Sequence, residues 1–114
     1  MITPQQVEQR LYQLSKEVDE IQNELIVAEE IYTTIKAKYE IAMARSRMNK
    51  SHPDFKLTVV QREDQALLDN ADLHMEVAIS EAKVKAARAN AAKIKTQVDI
   101  ARSISVSVRS SMEL

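Results

Sequence analysis

Hydrophobic residues recur along the first part of the chain in alternating steps of four and three: Val7, Leu11, Leu14, Val18, Ile21, Leu25, Ala28, Tyr32, Ile35, Tyr39 and Ala42. All eleven positions are apolar or aromatic, and a seven-residue period kept this long is the seam of a left-handed coiled coil. The spacing predicts a helix over about residues 4–49. Ile26, Val27 and Ile31 widen the stripe, so this stretch is expected to touch more than one neighbouring helix. The start is marked by Thr3 as N-cap, Pro4 at the first helical position and Gln6 three residues after the cap, a capping-box pattern. Ile2 and Val7 stand at the two staple positions around it.

Asn49, Ser51, Pro53 and Asp54 are a cluster of breakers, and His52 precedes a proline, which disfavours helical angles. A short polar linker is therefore expected at about 50–57, around the single Phe55. Thr58 with Gln61 repeats the capping-box pattern, and from Val59 onward nothing breaks a helix, which is expected over about 58–112. Its heptads run through Leu73, Val77, Ser80, Val84, Ala87, Ala91, Ile94, Val98 and Ala101, smaller residues than those of the first helix. Ala78, Ala82, Ala86 and Ala89 run beside them. This small-residue surface is expected to pack on the Leu/Ile/Tyr stripe, large against small. Ser103 to Arg109 alternates strictly, as a strand does, yet it also places Ile100, Ile104, Val108 and Met112 four apart on a helix. Helix is the reading adopted, with a frayed or β-paired tail as the alternative.

The expected fold is all-α: a long antiparallel two-helix hairpin, coiled-coil-like, forming one domain over 1–114. Charge supports the antiparallel sense. Residues 17–30 carry Glu17, Asp19, Glu20, Glu24, Glu29 and Glu30 and no base, while 83–95 carry Lys83, Lys85, Arg88, Lys93 and Lys95 and no acid. Nearer the linker the signs invert, with Lys36, Lys38, Arg45, Arg47 and Lys50 facing Glu63, Asp64, Asp69 and Asp72. Exposed pairs contribute only about 0–1 kcal/mol each, so they set orientation more than stability. Helices of this length span roughly 65–80 Å at a 1.5 Å rise. Two of them alone leave an apolar stripe uncovered, so self-association into a homo-oligomer is expected. The hairpin and oligomer core is assigned to Leu11, Leu14, Val18, Ile21, Leu25, Tyr32, Ile35, Tyr39, Val77, Val84, Ile94 and Val98.

Composition then narrows the function. The 114 residues include no glycine, no cysteine, no tryptophan and two prolines. Glycine-rich phosphate loops, dinucleotide fingerprints and nucleophile elbows need backbone positions that glycine serves. Without cysteine there are no disulfides, thiolate metal sites or Cys nucleophile. No apolar run reaches the roughly 18 residues of a membrane span, and the N-terminal sequence lacks a signal-peptide core. No membrane association and a cytoplasmic location are therefore expected.

His52 and His74 are the only histidines and form no metal-ligand spacing, so two surface histidines are the simpler reading. Glu29–Glu30, Glu63–Asp64 and Asp69/Asp72 read as solvated helix faces, since general acid–base catalysis needs a desolvated cleft. No catalytic residue, metal or cofactor is expected, and the protein is read as a non-enzyme. Tyr32 and Tyr39 lie on the core stripe and read as core filling, with base stacking the lesser reading. Tyr12 lies off the stripe and fits either role. Phe55 reads as a plug at the hairpin end or as an accessible ring. Lys36, Lys38, Arg45, Arg47, Lys50 and Lys56 surround the linker, and such clusters hold phosphate backbones without any motif. Neutralisation of the acidic blocks opposite is the competing reading. The formal charge of -1 gives no bulk attraction to nucleic acid, so binding would rest on local clusters.

The chain resembles small phage-encoded helical proteins, and among them the recombination mediators of the UvsY type. The shared features are an N-terminal helix with tyrosines and terminal basic residues (IYTTIKAKYEIAMARSRMNK) and a polar break with a threonine-capped restart (KLTVVQREDQALL). A long final helix closing on an arginine and an acidic residue (VDIARSISVSVRSSMEL) completes the pattern. The resemblance implies an oligomeric ring that binds single-stranded DNA and helps a recombinase displace the single-strand-binding protein. On this sequence it points to Lys36, Lys38, Arg45, Arg47 and Lys50. The alternative is a coiled-coil scaffold, assembly chaperone or small inhibitor acting through protein contacts only.

Overall fold

Both capping boxes form. The Thr3 backbone N–H donates to Gln6 Oε1 at 3.0 Å and the Gln6 N–H to Thr3 Oγ1 at 3.2 Å. Thr58 and Gln61 repeat the exchange at 3.0 and 3.1 Å. Each pair satisfies two of the N–H groups that a helix start leaves without an intrahelical partner. In the computed structural model, which describes residues 2–49 and 58–112 in full and the backbone of 50 and 113, three helices follow. They are α1 (Pro4–Lys50), α2 (Val59–Asp69) and α3 (Ala71–Glu113). There is no strand among the described residues, and Ser103 to Arg109 is helical. No described residue has a positive φ, which accords with a chain that has no glycine. The linker expected around Pro53 and Phe55 lies outside the described residues.

The chain divides into two compact units, Met1–Val27 with Lys85–Leu114, and Ala28–Val84. In the first, Leu14, Ile94 and Ala101 form the buried centre, with Leu11, Val18, Ile21 and Val98 packed around them. Ile2 to Pro4 lie beside Ile100 to Met112, and Leu11 to Gln22 beside Ala91 to Arg109, so the two segments run in opposite directions. In the second unit α1 again runs antiparallel to its partners: Arg47 meets Glu63, Ser46 meets Asn70, and Tyr39 meets His74.

Every position of the first heptad stripe, Val7 through Ala42, is buried or half-buried, and so is every position from Leu73 through Ala101. The second stripe continues inward through Ser105 and Val108. The core positions are those the four-three spacing selects, because only that spacing keeps one face of a helix turned to its neighbour.

Two expectations need correction. The helix expected to run unbroken over 58–112 is interrupted at Asn70, where φ is -118° and ψ 27°. Asn70 occupies the core position that precedes Leu73 and Val77 in the heptad series. Its side-chain Nδ2 donates to the Ala66 carbonyl at 2.8 Å, to Ser46 Oγ at 2.9 Å, and lies 3.8 Å from Met43 Sδ. The amide thus competes with the backbone for the carbonyl four residues back, which is how Asn disfavours helix interiors. The second correction concerns Ala78, Ala82, Ala86 and Ala89, which are exposed and do not pack on α1. Turned away from the Leu73–Ala101 stripe, they cannot share its neighbour.

Candidate nucleic-acid interface

The basic residues singled out beside the linker lie on the last four turns of α1, in the second unit, and they do not form one patch. At about 100° per residue, Lys38 and Arg45 fall on one flank of the core stripe, whereas Lys36 and Arg47 fall on the other. All four are exposed. The side chain of Lys50, and Lys56 altogether, lie outside the described residues.

Two of the four are also engaged. Arg47 Nε lies 2.8 Å from Glu63 Oε1, with both side chains nearly half exposed (45% and 47%). Arg47 and Glu63 are of opposite sign, as the sign inversion expected near the linker has them. Lys36 Nζ sits 5.7 Å from the Tyr32 ring centroid, a cation–π distance. Tyr32 and Tyr39 are half-buried on the core stripe, so neither offers a full ring face for stacking. The Tyr39 hydroxyl is 3.3 Å from His74 Nδ1 and the two rings are 5.5 Å apart at 51°. That contact, with Asn70–Ser46 one turn away, makes a polar layer across the helix pair.

No protein-family model, curated protein or solved structure matches the chain.

Chemistry therefore has to be read from surfaces. Among the described residues no three of His, Asp or Glu gather as a metal-binding group, and no buried polar side-chain atom lacks a partner. The first unit carries open grooves along its helix pair. In the first unit one groove has a floor that includes Leu11, Val18, Ile94 and Val98, with Lys95, Arg102 and Arg109 along one edge. Those three bases, with Arg88 before them, recur every seven residues on α3. Across the groove stand Ser15, Asp19 and Gln22 of α1. Arg109 Nη2 donates to Ser105 Oγ at 3.3 Å, which holds the guanidinium beside the groove. Sequence reasoning recognised the basic run 83–95 but not this row. The signal was the seven-residue period of the bases, the same period as that of the core.

A second groove in this unit is almost free of charge. Ile2 and Pro4 line it with Ile100, Ile104, Val108 and Met112, and Asp99 lies at one end. Of these, Ile2, Ile100 and Met112 are more than half exposed.

Proposed function

We propose that this is a non-enzymatic, self-associating phage accessory protein of DNA recombination or replication, which binds single-stranded DNA and assists a recombinase. The observation that carries the reading is the exposure of both kinds of surface such a protein needs. Lys36, Lys38 and Arg45 stand exposed on α1, and apolar side chains stand exposed in each unit.

The apolar faces support self-association. Ile2, Ile26, Val27, Ile100, Val106 and Met112 of the first unit are more than half exposed, as are Ile41, Val59, Val60, Leu68, Met75 and Ile79 of the second. Covering six such half-exposed chains contributes on the order of 5 kcal/mol before association entropy. Ring assembly multiplies each basic cluster around one rim, and linked weak sites gain avidity. The resemblance to UvsY-type mediators supplies the recombinase and the single-strand-binding protein as partners. No helix among the described residues is long and apolar enough to cross a membrane, which accords with action on nucleic acid in the host cytoplasm.

The test is molar mass by light scattering, with and without a single-stranded oligonucleotide, followed by the combined Lys36→Ala, Arg45→Ala, Arg47→Ala and Lys50→Ala variant. Oligomers that gain mass with the oligonucleotide, and lose that gain in the variant, uphold the reading. A monomer, or no binding in low salt, overturns it.

One observation favours a second reading, a coiled-coil scaffold, assembly chaperone or inhibitor working through protein contacts alone. The basic residues of α1 are split over two flanks, and Arg47 is matched by Glu63. A protein partner recovered from lysate after nuclease treatment, with no DNA affinity, decides for it.

A further inference from the structure

Among the described residues, Tyr12 is the one aromatic that the core does not absorb. It lies on α1 in the first unit, 65% exposed, with Lys16 Nζ 4.6 Å from its ring centroid. It shares a helix face with Asp19, seven residues on, which lines the groove edged by Lys95, Arg102 and Arg109. Leu11 and Ser15, on either side of Tyr12, line the same groove. Tyr12 does not itself line the groove but neighbours residues that do, and the α3 side of that groove carries cations about 10 Å apart.

We propose that this groove is a second track for single-stranded nucleic acid, with Tyr12 stacking a base and Lys95, Arg102 and Arg109 holding the backbone. The inference rests on the single-strand reading above but places a contact in the first unit, away from the α1 residues that the sequence singles out. Three features fit that occupant. The residues of α1 that line the groove are Leu11, Ser15, Val18 and Gln22 with a single acid, Asp19. Exposed aromatic rings on which bases stack, with cations nearby, are what sequence-tolerant single-strand binders use, and Tyr12 is 65% exposed. The guanidinium of Arg109, tethered to Ser105, loses less freedom on meeting a phosphate than a free side chain does.

Asp19 and Asp99 also line the groove, so its positive excess is small. Electrostatics alone therefore binds weakly here, and the ring decides whether a strand is held. That makes the contribution of Tyr12 separable from that of the bases. All four side chains are exposed, and substituting them leaves the core untouched.

The experiment is fluorescence anisotropy of a labelled oligothymidylate, and of an abasic strand with the same number of phosphates, titrated with full-length protein over a range of salt. Tyr12→Ala is expected to weaken oligothymidylate binding roughly tenfold, the worth of one stacked base, and to leave the abasic strand unaffected. Tyr12→Phe is expected to bind as the parent does. The Arg102→Ala/Arg109→Ala pair is expected to weaken both strands and to flatten the logarithmic salt dependence by about 1.4, the value for two phosphate contacts on a single strand. A parent protein that binds neither strand overturns the single-strand reading and this inference together. A parent that binds, with Tyr12→Ala and Arg102→Ala/Arg109→Ala equal to it, overturns this inference alone. So does a Glu- and Leu-rich helical peptide that binds the parent, but not these variants, while DNA affinity is unchanged.

Discussion

The side-chain amide of Asn70 donates to the hydroxyl of Ser46 at 2.9 Å, joining two helices at residues 24 apart in the chain. The bond lies in a seam that is otherwise apolar over most of its length, and a polar residue at one core position is the usual means of fixing register in a coiled coil. The same amide holds the Ala66 carbonyl, so one side chain both interrupts the helix and sets which residues face each other.

Alanine at Asn70, at Ser46 and at both is expected to give a coupling of about 0.5–1.5 kcal/mol in a double-mutant cycle from urea unfolding, the range of a part-buried hydrogen bond. A coupling near zero would show that the pair touches without contributing to register.

Leu14 is 1% exposed at the centre of the first unit. Leu14→Ala is expected to destabilise by about 2–5 kcal/mol through lost burial and the cavity left behind. Val27→Ala, at a half-exposed position, is expected to change the unfolding free energy of the protomer by less than about 0.5 kcal/mol. Urea midpoints for the two variants at matched protein concentration make the comparison.

Self-association predicts a different response at the exposed apolar groove of the first unit. Ile100→Glu is expected to lower the molar mass seen by light scattering while circular dichroism stays helical. An unchanged mass would remove this face from the assembly.

Glu63 restrains Arg47 in a surface pair that contributes about 0–1 kcal/mol. If Arg47 takes part in holding a DNA strand, Glu63→Gln removes a competing negative charge from beside it. The variant is expected to bind a single-stranded oligonucleotide several-fold more tightly at low salt, with little loss of stability. Equal affinity in parent and variant would place Arg47 outside the interface.

Thr58→Ala removes the side-chain acceptor of the α2 cap and is expected to cost about 1 kcal/mol. Thr58→Ser retains the oxygen and is expected to behave as the parent in thermal melts.

Much of this architecture is legible in the residues themselves. The four-three spacing from Val7 to Ala42 and from Leu73 to Ala101 identifies the inward face at every position, because burial along a helix follows its period. Thr3 with Gln6 and Thr58 with Gln61 announce two helix starts that form as written, because a cap is a local bargain among four residues. The interruption at Asn70 is not legible in that way. Asn is tolerated in helices, and what turns it into a break is its acceptors, Ser46 on another segment and Ala66 one turn back. The candidate interface shows the same divide. Counting bases near the linker finds Lys36, Lys38, Arg45 and Arg47 but not their separation onto two flanks, nor the partner of Arg47. Charge composition carries no direction, whereas a seven-residue period does, and the row through Lys95, Arg102 and Arg109 has one.

The Asn70–Ser46 bond also bears on how the chain tolerates change. Pairing in the second unit is specified by groups within the helices, and α2 carries its own start signal at Thr58. Lengthening the connection between Lys50 and Thr58 adds only a slowly growing closure cost, so insertions there should leave the register intact. The two helical segments supplied as separate peptides should find the same alignment.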